Sequence, residues 1–260
     1  MRSYRVDALS ATLRWIELEG DAPTCVYLHG LGAASSADFP HIAADPSLCG
    51  RHALLIDLLG FGYSDRPPTF SYALDDHARI VAELLHHLRL EDCAIIGHSM
   101  GGSVAISLAA LFPQLAGCLL VAEGNLDPGG GMVSRPIAGQ SETAFVEHGY
   151  RTFLAALSEN PAWAAYAATV RAADPVALHR SAVQLKRGTC PMMRRRLLDL
   201  DIPRTVVFGA RSLPDPDTER LPKAGISVQI VPDAGHAMMH DNPSAFAAAV
   251  ATTIKQAYRT

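Results

Sequence analysis

Four short apolar runs, at 24–28 (TCVYL), 52–57 (HALLID), 93–97 (CAIIG) and 118–122 (CLLVA), constrain this chain more than any other feature. A strand with one wet face alternates apolar and polar residues. A strand that is apolar at nearly every position suits burial on both faces, as in a parallel sheet covered by helices. Helical patterns lie between the runs. In 75–90, Ala78, Val81, Ala82, Leu85 and Leu88 recur at three- and four-residue steps, and 103–112 repeats the spacing with Val104, Ala105, Leu108 and Phe112. Such alternation predicts an α/β fold built from right-handed βαβ units. Residues 11–18 (ATLRWIEL) alternate and read as an antiparallel strand.

The rhythm breaks after residue 122. Residues 127–200 open on Asp127-Pro128-Gly129-Gly130-Gly131 and are rich in Ala and Arg, without a convincing strand. Strands return at 204–208 and 226–231, and a last helix at 244–258 carries Phe246, Val250 and Ile254 on one face. The expected organisation is a core of residues 1–126 and 201–260 with a helical cap at 127–200. The length of 260 residues suits that plan.

Composition narrows the function by exclusion. A net charge of −4 and a pI near 6.2 give no basic surface for nucleic acid or anionic lipid. No apolar run reaches the roughly 18–20 residues of a membrane helix, and the first residues lack the apolar centre of a signal peptide, so a cytoplasmic chain is expected. The five cysteines (Cys25, Cys49, Cys93, Cys118, Cys190) show no CxxC pair, and no HExxH appears among the eleven histidines. The cysteines read as structural, and neither metal nor other cofactor is expected. A small-molecule substrate is the expected partner, with the chain a monomer or homodimer.

The motif with the most chemical content is Gly97-His98-Ser99-Met100-Gly101-Gly102, between a buried run and a helical pattern. A nucleophile elbow needs this setting. The turn is so tight that its flanking positions must be small, and the serine hydroxyl then stands above the sheet edge. The Met100 N–H, at the helix start, would face developing negative charge.

At this point the chain resembles the α/β-hydrolase family over nearly its whole length. His29-Gly30-Leu31-Gly32 matches the HGxG oxyanion loop, Asp57 to Asp65 (DLLGFGYSD) matches the DxxGxGxS loop, and Gly235-His236 with Asn242-Pro243 matches the loop that delivers the base. The resemblance implies Ser99 as nucleophile of an acyl-enzyme reaction, His236 as general base, and Leu31 as the second oxyanion donor beside Met100. It implies an esterase-like serine hydrolase. A carbon–carbon bond, lactone or thioester hydrolase on the same residues, and a non-catalytic ligand-binding protein, remain alternatives.

The acid departs from the family pattern. Most members carry Asp in a Gly-x-x-Asp context after the strand at 204–208. Here Gly209-Ala210-Arg211-Ser212 puts serine at that position, and a serine cannot balance an imidazolium. Glu123, directly after the run 118–122, sits where some relatives place the acid, and is the first candidate. Asp215, with Asp217, is the alternative.

Other residues carry structural readings. His98 and His29 read as loop braces, Asp57 as a brace for the Gly60-Phe61-Gly62 turn, and Arg194-Arg195-Arg196 as a solvated helix face. The pair His86-His87 and His240 have no evident partner. Phe145, Tyr150, Phe153, Trp163 and Tyr166 could roof a pocket. The methionines read as core filler, with an apolar pocket as the other use.

Overall fold

The structure, a computed structural model, describes residues 1–258; positions 259 and 260 of the expected core segment lie outside the described residues. Eight strands form one sheet in the order β1-β2-β4-β3-β5-β6-β7-β8. They are β1 (Arg2–Val6), β2 (Ala11–Leu18), β3 (Asp21–Leu28), β4 (Arg51–Asp57), β5 (Cys93–His98), β6 (Ala116–Ala122), β7 (Arg204–Gly209) and β8 (Ser227–Val231). β1–β2 and β2–β4 pair antiparallel, and every later pairing is parallel.

The apolar runs divide cleanly between two cores because successive side chains leave a strand on opposite faces. Val26, Leu28, Leu54, Ile56, Ile95, Leu119, Val121 and Val206 pack with the helices Leu74–His87 and Met100–Leu111. Tyr27, Leu55, Ile96, Leu120 and Val207 pack with Phe246, Val250 and Ile254 of the helix Pro243–Tyr258. Full burial of one such side chain contributes about 1.5–3 kcal/mol, so polar substitution on either face is costly.

Two differences from the sequence reading have physical causes. β1 carries no apolar pattern because its five residues are mostly exposed at the sheet edge and only Val6 is buried. The helix whose apolar spacing shows at 103–112 starts at Met100, where the elbow motif sets it, with Gly101 and Gly102 in its first turn. That helix is also buried from Met100 to Ala109, not amphipathic, because other helices cover its outer side.

Between β6 and β7 the described residues contain no strand. Short helical turns lead into the helices Tyr150–Ser158, Ala164–Arg171, Pro175–Arg187 and Met193–Asp199. The arginine run on the last of these is a correction to the solvated-face reading. Arg195 is exposed and pairs with Asp199, but the Arg196 side chain is only 7% exposed and binds both carboxylate oxygens of Asp75 and the Ser107 hydroxyl. Arg194 bridges Asp127 and Asp217. Charge count alone could not distinguish these three neighbours, whose directions differ by about 100° around the helix. Among the described residues, no helix is long and apolar enough to cross a membrane.

Candidate active site

The strand order itself opens a place for a site. From β3 the chain departs toward β4, and from β5 toward β6, so the loops at the carboxyl ends of these neighbouring strands diverge. Parallel sheets hold ligands in the crevice so formed. The oxyanion-loop motif leaves β3 there, and the elbow leaves β5.

Ser99 has φ 52° and ψ −118°, a conformation that a side-chain-bearing residue adopts only when its surroundings force it. The surroundings are two glycines. A Cβ on Gly97 would strike the Gly101 carbonyl, and one on Gly101 would strike the Leu28 carbonyl. The Ser99 N–H donates to the Ala122 carbonyl at 2.8 Å, which seats the turn against the end of β6. The Ser99 carbonyl accepts from the N–H groups of Gly102 and Ser103. The Met100 N–H, first in the helix, has no carbonyl one turn back.

One strand over, Glu123 follows β6 as Ser99 follows β5, because His98 is registered with Ala122. Its backbone also turns at positive φ, 44°. The Glu123 N–H donates to Val207 O at 3.0 Å, Oε1 accepts the Gly209 N–H at 2.9 Å, and Oε2 accepts His236 Nδ1–H at 2.7 Å. Burial pushes this carboxyl upward, but the bonds from His236 and Gly209, with the Ser212 hydroxyl beside them, hold it below the usual glutamate value. Ser212, which the resemblance sets at the position where most relatives carry Asp, thus supports the Glu123 carboxylate that reaches His236 from β6.

His236 lies beyond β8. Its Nδ1–H is committed to Glu123, so in the neutral ring Nε2 carries the lone pair. The side chain is 55% exposed, against 13% for Glu123, so the imidazole is open to the cavity while the carboxylate is shielded. Among the described residues neither Asp215 nor Asp217 bonds to His236. Asp217 is held at both oxygens by Arg194, and Asp215 accepts the Asp217 N–H at 2.8 Å.

The oxyanion loop is fixed from below. Leu58 N–H donates to His29 Nε2 at 3.0 Å, and His29 Nδ1–H donates to Gly30 O at 2.8 Å. Ala33 N–H also binds Gly30 O. In a trans peptide the N–H opposes the carbonyl, so pinning Gly30 O turns the Leu31 N–H the other way. Burial lowers the pKa of His29, which keeps its ring neutral for this double role. Asp57 binds Ser36 N–H, the Ser36 hydroxyl and Tyr63 N–H, joining its own loop to the oxyanion loop.

Ser99, His236, Glu123 and Leu31 line one cavity of about 870 Å³. Of the five aromatic residues, Trp163 and Tyr166 reach its wall. Phe145 is core, the Tyr150 hydroxyl binds the Val170 and Ala173 carbonyls, and Phe153 packs against the core. The exposed Met132 and the buried Met239 line the cavity, whereas the buried Met100, Met193 and Met238 do not. Ser99 and His236 share the cavity without a hydrogen bond between them among the described residues; such contacts commonly tighten only with ligand bound.

Two further histidines take definite partners, His98 as the loop brace expected of it and His240 with a partner the sequence did not reveal. His98 Nε2–H donates to the His236 carbonyl at 2.8 Å, and the two rings lie 4.7 Å apart. Burial, then the nearby His236 charge, lowers the His98 pKa to about 3. His240 pairs with the buried Asp38 at 3.1 Å, and that bond raises its pKa. These two residues lie about 200 positions apart, too far for any local pattern to link them. Cys25, Cys93 and Cys118 are buried, with thiol pKa values pushed up to about 12 chiefly by burial. Cys49 and Cys190 are exposed and free.

With this geometry in hand, residues 25–249 match the profile of the Alpha/beta hydrolase family. The chain belongs to that family. It is 38% identical over 91 residues to the Mycobacterium tuberculosis protein LipZ, a stretch covering 35% of this chain and 31% of that one. Among solved structures it resembles an esterase from Exiguobacterium antarcticum, with TM-score 0.81, 18% identity, and 97% and 98% of the two chains covered. The enol-lactonase from Burkholderia xenovorans LB400 superposes with TM-score 0.78 at 19% identity, over 98% of this chain and all of the other. The matched stretches span about a third of the length of curated relatives such as LipZ.

Proposed function

We propose that the protein is a serine hydrolase that cleaves a carboxylic ester, open-chain or cyclic, of a small to medium uncharged substrate through an acyl-enzyme. The observation that carries this reading is the pairing of His236 with Glu123 at 2.7 Å in the cavity lined by the strained Ser99.

In this reading Ser99 Oγ attacks the ester carbonyl while His236 Nε2 takes its proton. Glu123 keeps the ring in the required tautomer and balances the imidazolium. The N–H groups of Leu31 and Met100 hold the oxyanion. Collapse expels the alkoxide, which receives the proton from Nε2, and water then releases the acid by the same steps in reverse. From a lactone the leaving oxygen stays tethered, and the product is a hydroxy acid. The helical residues 127–200 act as a cap, with Trp163 and Tyr166 in its inner wall. A cavity of this size suits a drug-sized ligand. Its one arginine, Arg194, is already engaged by two carboxylates, which favours uncharged substrates over anionic ones. An esterase and an enol-lactonase of the same fold favour ester and lactone carbonyls.

Labelling with a fluorophosphonate, read as intact mass, tests the assignment. One adduct is expected on the wild type and none on Ser99→Ala. A wild type that binds small molecules yet takes no label contradicts it and supports a binding protein. A panel of p-nitrophenyl esters, lactones and acyl thioesters then ranks leaving groups.

A further inference from the structure

The helical segment touches the oxyanion loop through one hydrogen bond. The Tyr166 hydroxyl, on the helix Ala164–Arg171, donates to the Leu31 carbonyl at 2.7 Å. Next to it Gly32 turns at φ 74°, and a Cβ there would meet the Tyr166 hydroxyl at 2.9 Å, with Val170 and Leu178 close behind. Besides the Arg196 clamp on Asp75 and Ser107 and the Arg194 bridge to Asp217, the segment is tied to the loop after β4. Asp174 N–H donates to Gly60 O at 2.8 Å, and Arg180 donates to the carbonyls of Pro68 and Phe70.

Two successive peptides meet at the Leu31 Cα. The first, Gly30–Leu31, has its carbonyl held by His29 and Ala33 on the core side. The second, Leu31–Gly32, has its carbonyl held by Tyr166 from the helical side. Glycines flank both peptides, so they can rotate together about the chain unless both carbonyls are anchored. Such rotation would swing the Leu31 N–H away from a developing oxyanion, and stabilisation of this kind depends on donors fixed in advance.

We propose that Tyr166 is a positioning residue for the Leu31 N–H, so that docking of the helix Ala164–Arg171 and organisation of the oxyanion site are one event. The inference rests on the hydrolase reading above and adds a route by which the cap sets rate as well as affinity. The Tyr166 hydroxyl acts through the loop and need not touch substrate.

Tyr166→Phe removes the hydroxyl and keeps the ring. With a p-nitrophenyl ester, kcat should fall about tenfold with KM within about twofold, below the loss expected for deleting a donor outright. Binding of a trifluoromethyl ketone, which forms a tetrahedral adduct with serine, should weaken by the same factor. Unchanged kcat and unchanged ketone binding would overturn the inference. So would a rise in KM at constant kcat, which assigns the hydroxyl to ground-state substrate binding. Labelling of wild-type Ser99 by a fluorophosphonate reports on the hydrolase reading separately. A labelled wild type matched in rate by Tyr166→Phe defeats the positioning role alone.

Discussion

The strand ends and the helical segment between β6 and β7 build the same cavity by different means. At the strand ends, backbone geometry does the placing. Ser99 and Glu123 both turn at positive φ one residue past registered strand positions, and each donates its N–H to the next strand's carbonyl. In the helical segment, side chains do the placing: Trp163 and Tyr166 form wall, and Arg194 and Arg196 clamp carboxylates. A sheet edge can fix reacting atoms, whereas a packed helix set can change its wall without disturbing them. Damage to the first region should therefore appear as lost chemistry, and damage to the second, Tyr166 apart because its hydroxyl holds the Leu31 carbonyl, as lost stability or binding.

The largest effect is expected at the strand-end rim. His236→Ala should lower kcat/KM by roughly 10⁴ or more, equivalent to about 5 kcal/mol, with little change in the urea unfolding midpoint because the side chain is half exposed. A destabilised but active variant would break the division. The clamp should behave in the opposite way. Arg196→Met leaves the Asp75 carboxylate without its partner and should cost about 3 kcal/mol of stability, measured by urea unfolding, with kcat/KM at 25 °C intact.

Acid titration gives a smaller effect on the core side. Burial holds His77 and His98 near pKa 3 in the folded chain, against an ordinary value of 6.5. The unfolded chain takes up these protons as pH falls through 6.5 while the folded chain does not, so stability falls with pH between about 6.5 and about 3. Each histidine contributes up to about 1.4 kcal/mol per pH unit. Urea unfolding at pH 7, 6 and 5 should show this slope, and His77→Leu should flatten it by one histidine's share. The smallest effect belongs to the wall. Trp163→Ala should raise KM by about three- to tenfold with kcat nearly unchanged, the mark of lost uniform binding. Together with the Tyr166 variant it distinguishes wall from loop support between two residues only three positions apart.

The same division decides how much was legible in the sequence. Strands β3 to β7 were visible because burial on both faces leaves unbroken apolar runs, and the elbow because its glycines flank a serine at a strand–helix junction. Glu123 was visible as a carboxylate placed directly after such a run. What remained hidden depends on side chains meeting across long separations. Arg196 finds Asp75 and Ser107, His240 finds Asp38, and Tyr166 finds Leu31. None of these pairs shares a helix or strand, so periodicity carries no trace of them. Adjacent Met238 and Met239 are both buried in the core, and only Met239 also borders the cavity, a difference of direction that composition does not carry.

Ser212 stands where the resemblance expects an aspartate, and the proposed reaction depends on Glu123, bonded to His236 at 2.7 Å, as the acid in its stead. The direct test is kcat/KM on one p-nitrophenyl ester for Glu123→Gln beside Asp215→Asn. The geometry predicts a loss of roughly 10²–10⁴ for Glu123→Gln and activity within about twofold of wild type for Asp215→Asn, whose carboxylate makes no bond to His236. A fully active Glu123→Gln enzyme, or a collapse confined to Asp215→Asn, would contradict it.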